Sequence, residues 1–412
     1  MRILDYDDPN FDPRRTFDEG HGSALVVDPY PAILGLLAQG PVHKLDLAEM
    51  FGAPRDQTMA GLEHYTVLNY GGVRRAFSDS ESFSPRLYKR NLGLAFGESI
   101  IVAMDDPDHR KLRNLVQKAF SPNELRRRAE LVVTPVMNRL VDSFADKGRA
   151  DLVGDFALHF PFHTIAAICA LPEDEWPLFH RLAMGLTCIS FDFPHAMEAS
   201  QKLWDYFAAV LDEYRAHPGD DMISTLATAE IDGERLSDAE VVTFLRFLLN
   251  AGGDTTYRGF ANMMTGLLTH PEQLEQVRAD RSLIDKAMDE GLRWQAPILS
   301  LTRTPRRDLE LEGVMLPEGA CLHVCAASAN RDPAAFEDAG RFDIHRAGPK
   351  PMSFGFGPHL CVGQPLARLE MRTALNALLD RLPNMRLDPS TPTPQIVGLG
   401  MRAPAALPVV FD

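Results

Sequence analysis

Cysteine is scarce in this chain: five among 412 residues, an odd number, with no C-x-x-C pair. That argues against a disulfide framework and for a reducing compartment. Long apolar runs are missing too, and none reaches the roughly 20 residues a membrane span needs. The opening residues, Met1-Arg2-Ile3-Leu4-Asp5-Tyr6-Asp7-Asp8, lack the basic start and apolar block of a signal peptide. The expectation is a soluble, cytoplasmic protein with no membrane span. Basic charge is in deficit, 42 Lys and Arg against 57 Asp and Glu, for a net charge of −15. Such a balance makes nucleic acid and anionic membranes poor partners. The chain also lacks repeats, low-complexity linkers and any marked domain boundary, so residues 1–412 are expected to form a single domain.

What the chain has in quantity is helical pattern, over a 45% hydrophobic content that is ample for a large core. Shorter stretches read as strand. Residues 63–70 alternate and are rich in β-formers. Residues 308–317 and 320–328 read as a hairpin and a strand, with Pro317 and Gly319 marking the turn between them. The segment 395–411 is irregular and β-like, interrupted by prolines. The fold class is mainly α with a smaller β portion.

One helix can be bounded from its residues alone. Ser237-Asp238-Ala239-Glu240 is a capping-box start, an apolar stripe runs from Val241 to Leu268, and His270-Pro271 ends it. Its length is about 33 residues, or roughly 50 Å at 1.5 Å per residue. Gly252 and Gly253 lie in its middle, each costing about 1 kcal/mol relative to alanine. A helix keeps such residues when something approaches its backbone closely or its hydrogen bonds open locally. Asp254 and Thr255 follow, polar in a helix that should be buried. Either Thr255 bonds back to a carbonyl one turn earlier and Asp254 pairs with a base, or the two serve chemistry at a kink. Arg246 is the other polar residue of the stripe, two turns earlier. It is read as an outer-face residue or, if it points inward, as a partner for a carboxylate-bearing substrate.

The most informative stretch is Phe354-Gly355-Phe356-Gly357-Pro358-His359-Leu360-Cys361-Val362-Gly363. It holds a cysteine in a glycine-rich loop that runs into the helical pattern Leu366-Ala367-Arg368-Leu369-Glu370-Met371. A thiolate there sits at the positive end of a helix dipole, which favours the anion. The glycines let the main chain turn tightly against something flat. Phe354 can wall the sulfur from water, and His359 offers a donor two residues away. The loop is shaped to hold a metal-bound thiolate under a planar cofactor.

The spacing F-G-x-G-x-H-x-C-x-G resembles the haem-binding loop of the cytochrome P450 family. Three further stretches resemble that family's landmarks, in order: Asp105 to Arg113, with its H-x-x-x-R; Ala251-Gly252-Gly253-Asp254-Thr255-Thr256; and Glu290-Gly291-Leu292-Arg293. The resemblance is to the soluble bacterial members and implies their fold, a triangular-prism helical domain with haem between the long central helix and the Cys-loop helix. It implies haem b as cofactor, with Cys361 as the axial metal ligand and His109, Arg113, Arg303 and His359 on the propionates. Asp254 and Thr255 match the acid–alcohol pair that delivers protons. Ala251, Ile298, Leu299 and Met401 match substrate contacts, and Phe191, Phe193 and Met197 fall in the variable region, as a lid or as helix packing. Glu290 and Arg293 match a structural ion-pair network whose third member is expected to be Arg341 of Ala339-Gly340-Arg341-Phe342.

The implied reaction is a monooxygenase's: one oxygen atom from O2 enters a hydrophobic small molecule by hydroxylation or epoxidation. Electrons would come from a 2Fe-2S ferredoxin and its ferredoxin reductase, and the protein would act as a monomer. Arg110, Lys111, Arg113, Lys118, Arg126, Arg127 and Arg128 crowd one segment. They form either a solvated helix face or, by the resemblance, a docking patch for a small acidic iron–sulfur protein. Two other outcomes use the same fold: a peroxide-driven peroxygenase, which in the family usually lacks the acid–alcohol pair, and a non-catalytic haem-thiolate sensor.

Overall fold

The long helix organises the molecule. In the computed structural model, which describes every residue but Asp232, it runs unbroken over Asp238–Thr269. The capping box is formed: the Ser237 hydroxyl accepts from the Glu240 N–H, and the Glu240 carboxylate accepts from the Ser237 N–H at 2.8 Å. These contacts satisfy backbone donors that the first turn would otherwise leave open. Nearly every residue from Val241 to Leu268 is buried, so the helix is a core element on all sides. It crosses the helices Phe160–Ile168, Phe193–Ala216 and Ile284–Trp294. Two large hydrophobic clusters flank it, one around Phe162, Phe179 and Phe207, the other around Phe156, Phe260 and Leu378.

Gly252 is a close-approach glycine, but the approach is by protein. A Cβ there would lie 2.1 Å from Cδ1 of Ile165, so the residue seats the helix Phe160–Ile168. The expected kink and local opening of hydrogen bonds are not found: helical bonding continues through residues 252–256.

The β portion is small. Its main sheet has five strands in the order Val42–His43, His64–Val67, Cys321–Val324, Leu301–Pro305 and Phe83–Ser84. The pairing of His64–Val67 with Cys321–Val324 is parallel; the other pairs are antiparallel. The expected hairpin is Leu309–Leu311 with Val314–Leu316. The strand expected over 320–328 ends at Val324, because Ala326–Ala329 turns into helix. The C-terminal segment contributes Ile396–Val397, Ala403–Pro404 and Pro408–Val410. Among the described residues no helix is long and apolar enough to cross a membrane.

Candidate active site

The cysteine loop is built by its own backbone. The Cys361 N–H donates to the Phe354 carbonyl at 2.9 Å, and Gly355 and Gly357 turn the chain at φ +74° and +73°. A side chain at Gly357 would meet the Phe77 carbonyl oxygen at 2.8 Å, so this glycine presses on the helix Tyr70–Ser78 and not on a ligand. The helix Gln364–Arg381 starts directly after Gly363. Cys361 lies deep within the protein mass, yet its side chain opens onto a cavity and is exposed there. Burial pushes its thiol up, against the opposing pull of the Gly363 and Gln364 N–H groups and of Arg113.

The cavity encloses about 1310 Å³ of empty space, its mouth included. Cys361, Phe354 and Leu360 form one wall. Ala251, Gly252, Thr255 and Thr256 of the central helix line the cavity too, with Phe244, Phe247 and Leu248 further along the same stripe. Ile298, Pro297 and Leu301 close a side, and Ile101, Val102 and Phe120 another.

Two histidines and two arginines converge beside the cavity. His109, Arg113 and His359 line it, and the His109 and His359 rings lie 3.9 Å apart between centroids. Arg303 is buried beside them, over the Phe77 ring. His359 is held neutral, pushed down to about 3 by burial and then by His109, Arg303 and Arg113. Neighbouring carboxylates are engaged elsewhere: Asp105 with Arg306 and Ser84, Asp106 with Arg110 and with His109 Nδ1 at 3.3 Å. Among the described residues, buried His109 Nε2 has no partner. With Nδ1 donating to Asp106, Nε2 can donate once the ring is protonated, which an anion beside it and Arg113 favours. A sulfur on one wall, an apolar slot and an anion-seeking edge fit a haem with its propionates.

The family model described as Cytochrome P450 matches residues 178–399. The chain is 35% identical over 399 residues to the cytochrome P450 monooxygenase PikC of Streptomyces venezuelae, covering 92% of this chain and 91% of PikC. It is 33% identical to the cyclomarin C epoxidase CymV of Salinispora arenicola, over 84% of this chain and 90% of CymV. The cytochrome P450 PksS of Bacillus subtilis superposes with a TM-score of 0.84 at 26% identity, covering 98% of this chain and all of PksS. The chain belongs to the cytochrome P450 family.

It is a P450 monooxygenase with the family's mainly helical fold. Within this P450 the acid–alcohol pair splits between two environments. The Thr255 hydroxyl donates to the Ala251 carbonyl at 2.8 Å and faces the cavity. Asp254 points away and is fully buried, its carboxylate accepting from Arg258 Nε at 2.9 Å. Arg258 also donates to Asp18 at 2.6 Å, and Asp18 pairs with Arg14. Both plain readings of these residues are therefore realised, and the Arg258–Asp18 chain leads from Asp254 toward the surface.

Other expectations are corrected. Leu299 lies outside the cavity, packed with Tyr30, Ile33 and Leu68. Ile298 bridges Met401 as extended backbone, so its neighbour Leu299 faces the opposite side. Met401 contributes this pairing and not a cavity wall. Phe191 packs edge-on against His21 and Met197 packs on the core, as helix packing expects, whereas Phe193 is exposed. Arg246 is neither on the outer face nor aimed at the cavity. It is buried, stacks on Trp204 and donates to the carbonyls of Ala95, Phe96 and Ser200.

In the E-x-x-R network, Arg293 Nε donates to Glu290 at 2.7 Å, and its other nitrogens reach the carbonyls of Asn330, Ala339 and Arg341. The third charged member is Arg346, 3.3 Å from Glu290. The basic segment is largely neutralised: Arg110 by Asp106, Lys111 by Glu234 and Arg127 by Glu124, while Arg128 is buried against the Ala119 carbonyl.

Sequence reasoning missed Phe244, Phe247 and Leu248 as cavity residues. The signal was present: with Ala251 and Thr255 they share one helical face at three- and four-residue steps.

Proposed function

We propose that residues 1–412 form one P450 domain holding haem b, with Cys361 as the axial ligand and His109, Arg113, Arg303 and His359 receiving the propionates. The observation that carries this is the open sulfur sharing one apolar cavity with Thr255, His109, Arg113 and His359. When bound, the haem supplies the reduction of O2 and the insertion of one oxygen atom into a C–H or C=C bond. The chain's own residues shape that chemistry. Ala251 and Ile298, with the phenylalanines above them, exclude water and select a hydrophobic small molecule. The Thr255 hydroxyl holds a proton at the cavity wall, and Asp254, paired with Arg258 and through it with Asp18, would bring protons from the surface side of the helix. Electrons come from a 2Fe-2S ferredoxin and its reductase, and the exposed Lys118 and Arg126 keep positive charge on the basic segment to meet it. The enzyme works in the cytoplasm as a monomer.

The test compares wild type with Cys361→Ser in the reduced, carbon-monoxide-bound form. Wild type shows the long-wavelength Soret band of thiolate-ligated haem, and the serine variant loses it while its circular dichroism is unchanged. A thiolate band that survives in the variant refutes the ligand assignment.

A further inference from the structure

On one face of the main sheet, three potential metal ligands meet, none of them lining the cavity beside Cys361. His64 and Cys321 face each other across the parallel strand pair, and His323 lies two residues along from Cys321. All three side chains therefore leave the same face of the sheet. His64 Nδ1 is 2.9 Å from His323 Nε2, and Cys321 Sγ is 3.8 Å from that same nitrogen. The three ligand atoms lie within 4.8 Å of one another. Asp46, buried at the start of the helix Leu47–Met50, completes the group from a separate loop. Its two oxygens stand 3.8 Å from His64 Nδ1 and 3.9 Å from His323 Nε2.

We propose that His64, Cys321 and His323 hold a divalent transition metal, zinc in the first instance, with the Asp46 carboxylate beside it. Zinc bonds of about 2.0–2.1 Å to nitrogen and about 2.3 Å to sulfur place ligand atoms about 3.3–3.6 Å apart around a tetrahedron. The observed His64–His323 and Cys321–His323 separations of 2.9 and 3.8 Å bracket that range. Softness agrees as well, because a thiolate with two imidazoles suits zinc better than calcium or magnesium. One thiolate and one carboxylate cancel the metal's two charges, leaving a neutral centre in a mostly buried place. Asp46 keeps lone pairs for a metal: one oxygen accepts from the Ala48 N–H, and the other meets Arg55, a half-exposed residue also paired with Glu49. The cavity beside Asp46, His64 and His323 is partly open and gives an entry path.

The proton balance is simple. Cys321 enters as a thiol, which burial pushes up to about 12, and one proton leaves as the Zn–S bond forms. The proton shared between the two rings moves to the far nitrogen of its own ring. Affinity therefore weakens about tenfold for each pH unit of acidification near neutrality. The bound ion would tie residue 46 to strands 64–67 and 321–324, and so brace the neighbouring strand that carries Arg303.

The test uses the haem-loaded protein equilibrated with zinc and then dialysed against a weak chelator. Elemental analysis should give one zinc per chain, and X-ray absorption at the zinc edge, separate from iron, should show one sulfur neighbour. Cys321→Ser should lose the sulfur scattering and weaken zinc binding by at least about a hundredfold, beyond the ten- to hundredfold that loss of an outer partner costs. Cys325→Ser removes a neighbouring buried cysteine outside the cluster, so it should leave stoichiometry and sulfur scattering as in wild type. Haem content reports folding in every variant. Zinc without a sulfur neighbour, or zinc retention equal in wild type and Cys321→Ser, overturns the site.

Discussion

Arg341 and Arg346 lie five residues apart, and only one of them spends its guanidinium on the buried Glu290–Arg293 pair. Arg346 is one-tenth exposed and donates to Glu290 and to the carbonyls of Glu337, Asp338 and Arg341. The Arg341 side chain is 62% exposed and meets only Asp343, while its carbonyl serves Arg293. Any residue at 341 supplies that carbonyl. Arg346→Ala removes a charged donor from buried Glu290, which keeps Arg293 and the Asp343 N–H, a loss of about 1–3 kcal/mol. Arg341→Ala should stay within about 0.5 kcal/mol of wild type. Urea unfolding of both variants checks the ordering, and equal losses would return the role to Arg341. The motif identified Glu290 and Arg293 correctly, but which of two nearby arginines turns inward depends on how the following loop folds. One-dimensional spacing holds no such information.

At the scale of elements, close packing against the central helix is set by small residues. Gly291, inside the E-x-x-R helix Ile284–Trp294, lies where a Cβ would be 2.6 Å from Cβ and 2.8 Å from Cα of Met263. Backbone cannot swing aside as a side-chain end can, so Gly291→Ala must push the two helices apart. Overpacking costs about 1–3 kcal/mol, against a helix-propensity gain of about 1 kcal/mol, and the displacement also pulls on Glu290 and Arg293. The net expectation is a lower thermal midpoint and reduced haem retention; a midpoint at or above wild type would show that this crossing has slack. The long helix and its cap were legible because a capping box and a stripe of apolar residues are local signals. The hairpin at 309–316 was legible for the same reason. The side of Leu299 was not, because Ile298 is fixed by pairing with Met401, about a hundred residues away. Nor was the seat of Gly252, which depends on Ile165 of another helix.

Across the whole molecule, burial keeps several histidines neutral, and this sets how the fold responds to acid. His21 is pushed down to about 4 by burial, with its Nδ1 at the Phe17 carbonyl. His163 is pushed to about 4 by burial and then by His159 and Arg139, and His180 to about 3 by burial, His159 and His163. In the unfolded chain each would take a proton near pH 6.5. Between that pH and about 4 the unfolded state therefore binds more protons than the native one. The stability these residues contribute is present above pH 6.5 and is lost as pH falls toward their folded values. Three such groups steepen the loss by up to about 4 kcal/mol per pH unit. His180 isolates one of them, since it stacks on Phe162 with centroids 4.4 Å apart. His180→Phe keeps an aromatic ring there and removes the site of protonation. Urea midpoints measured from pH 7 to pH 4.5 should fall less steeply in the variant than in wild type, by about one proton's worth of slope. Parallel curves would mean that His180 carries its proton in the native fold and that acid sensitivity arises elsewhere.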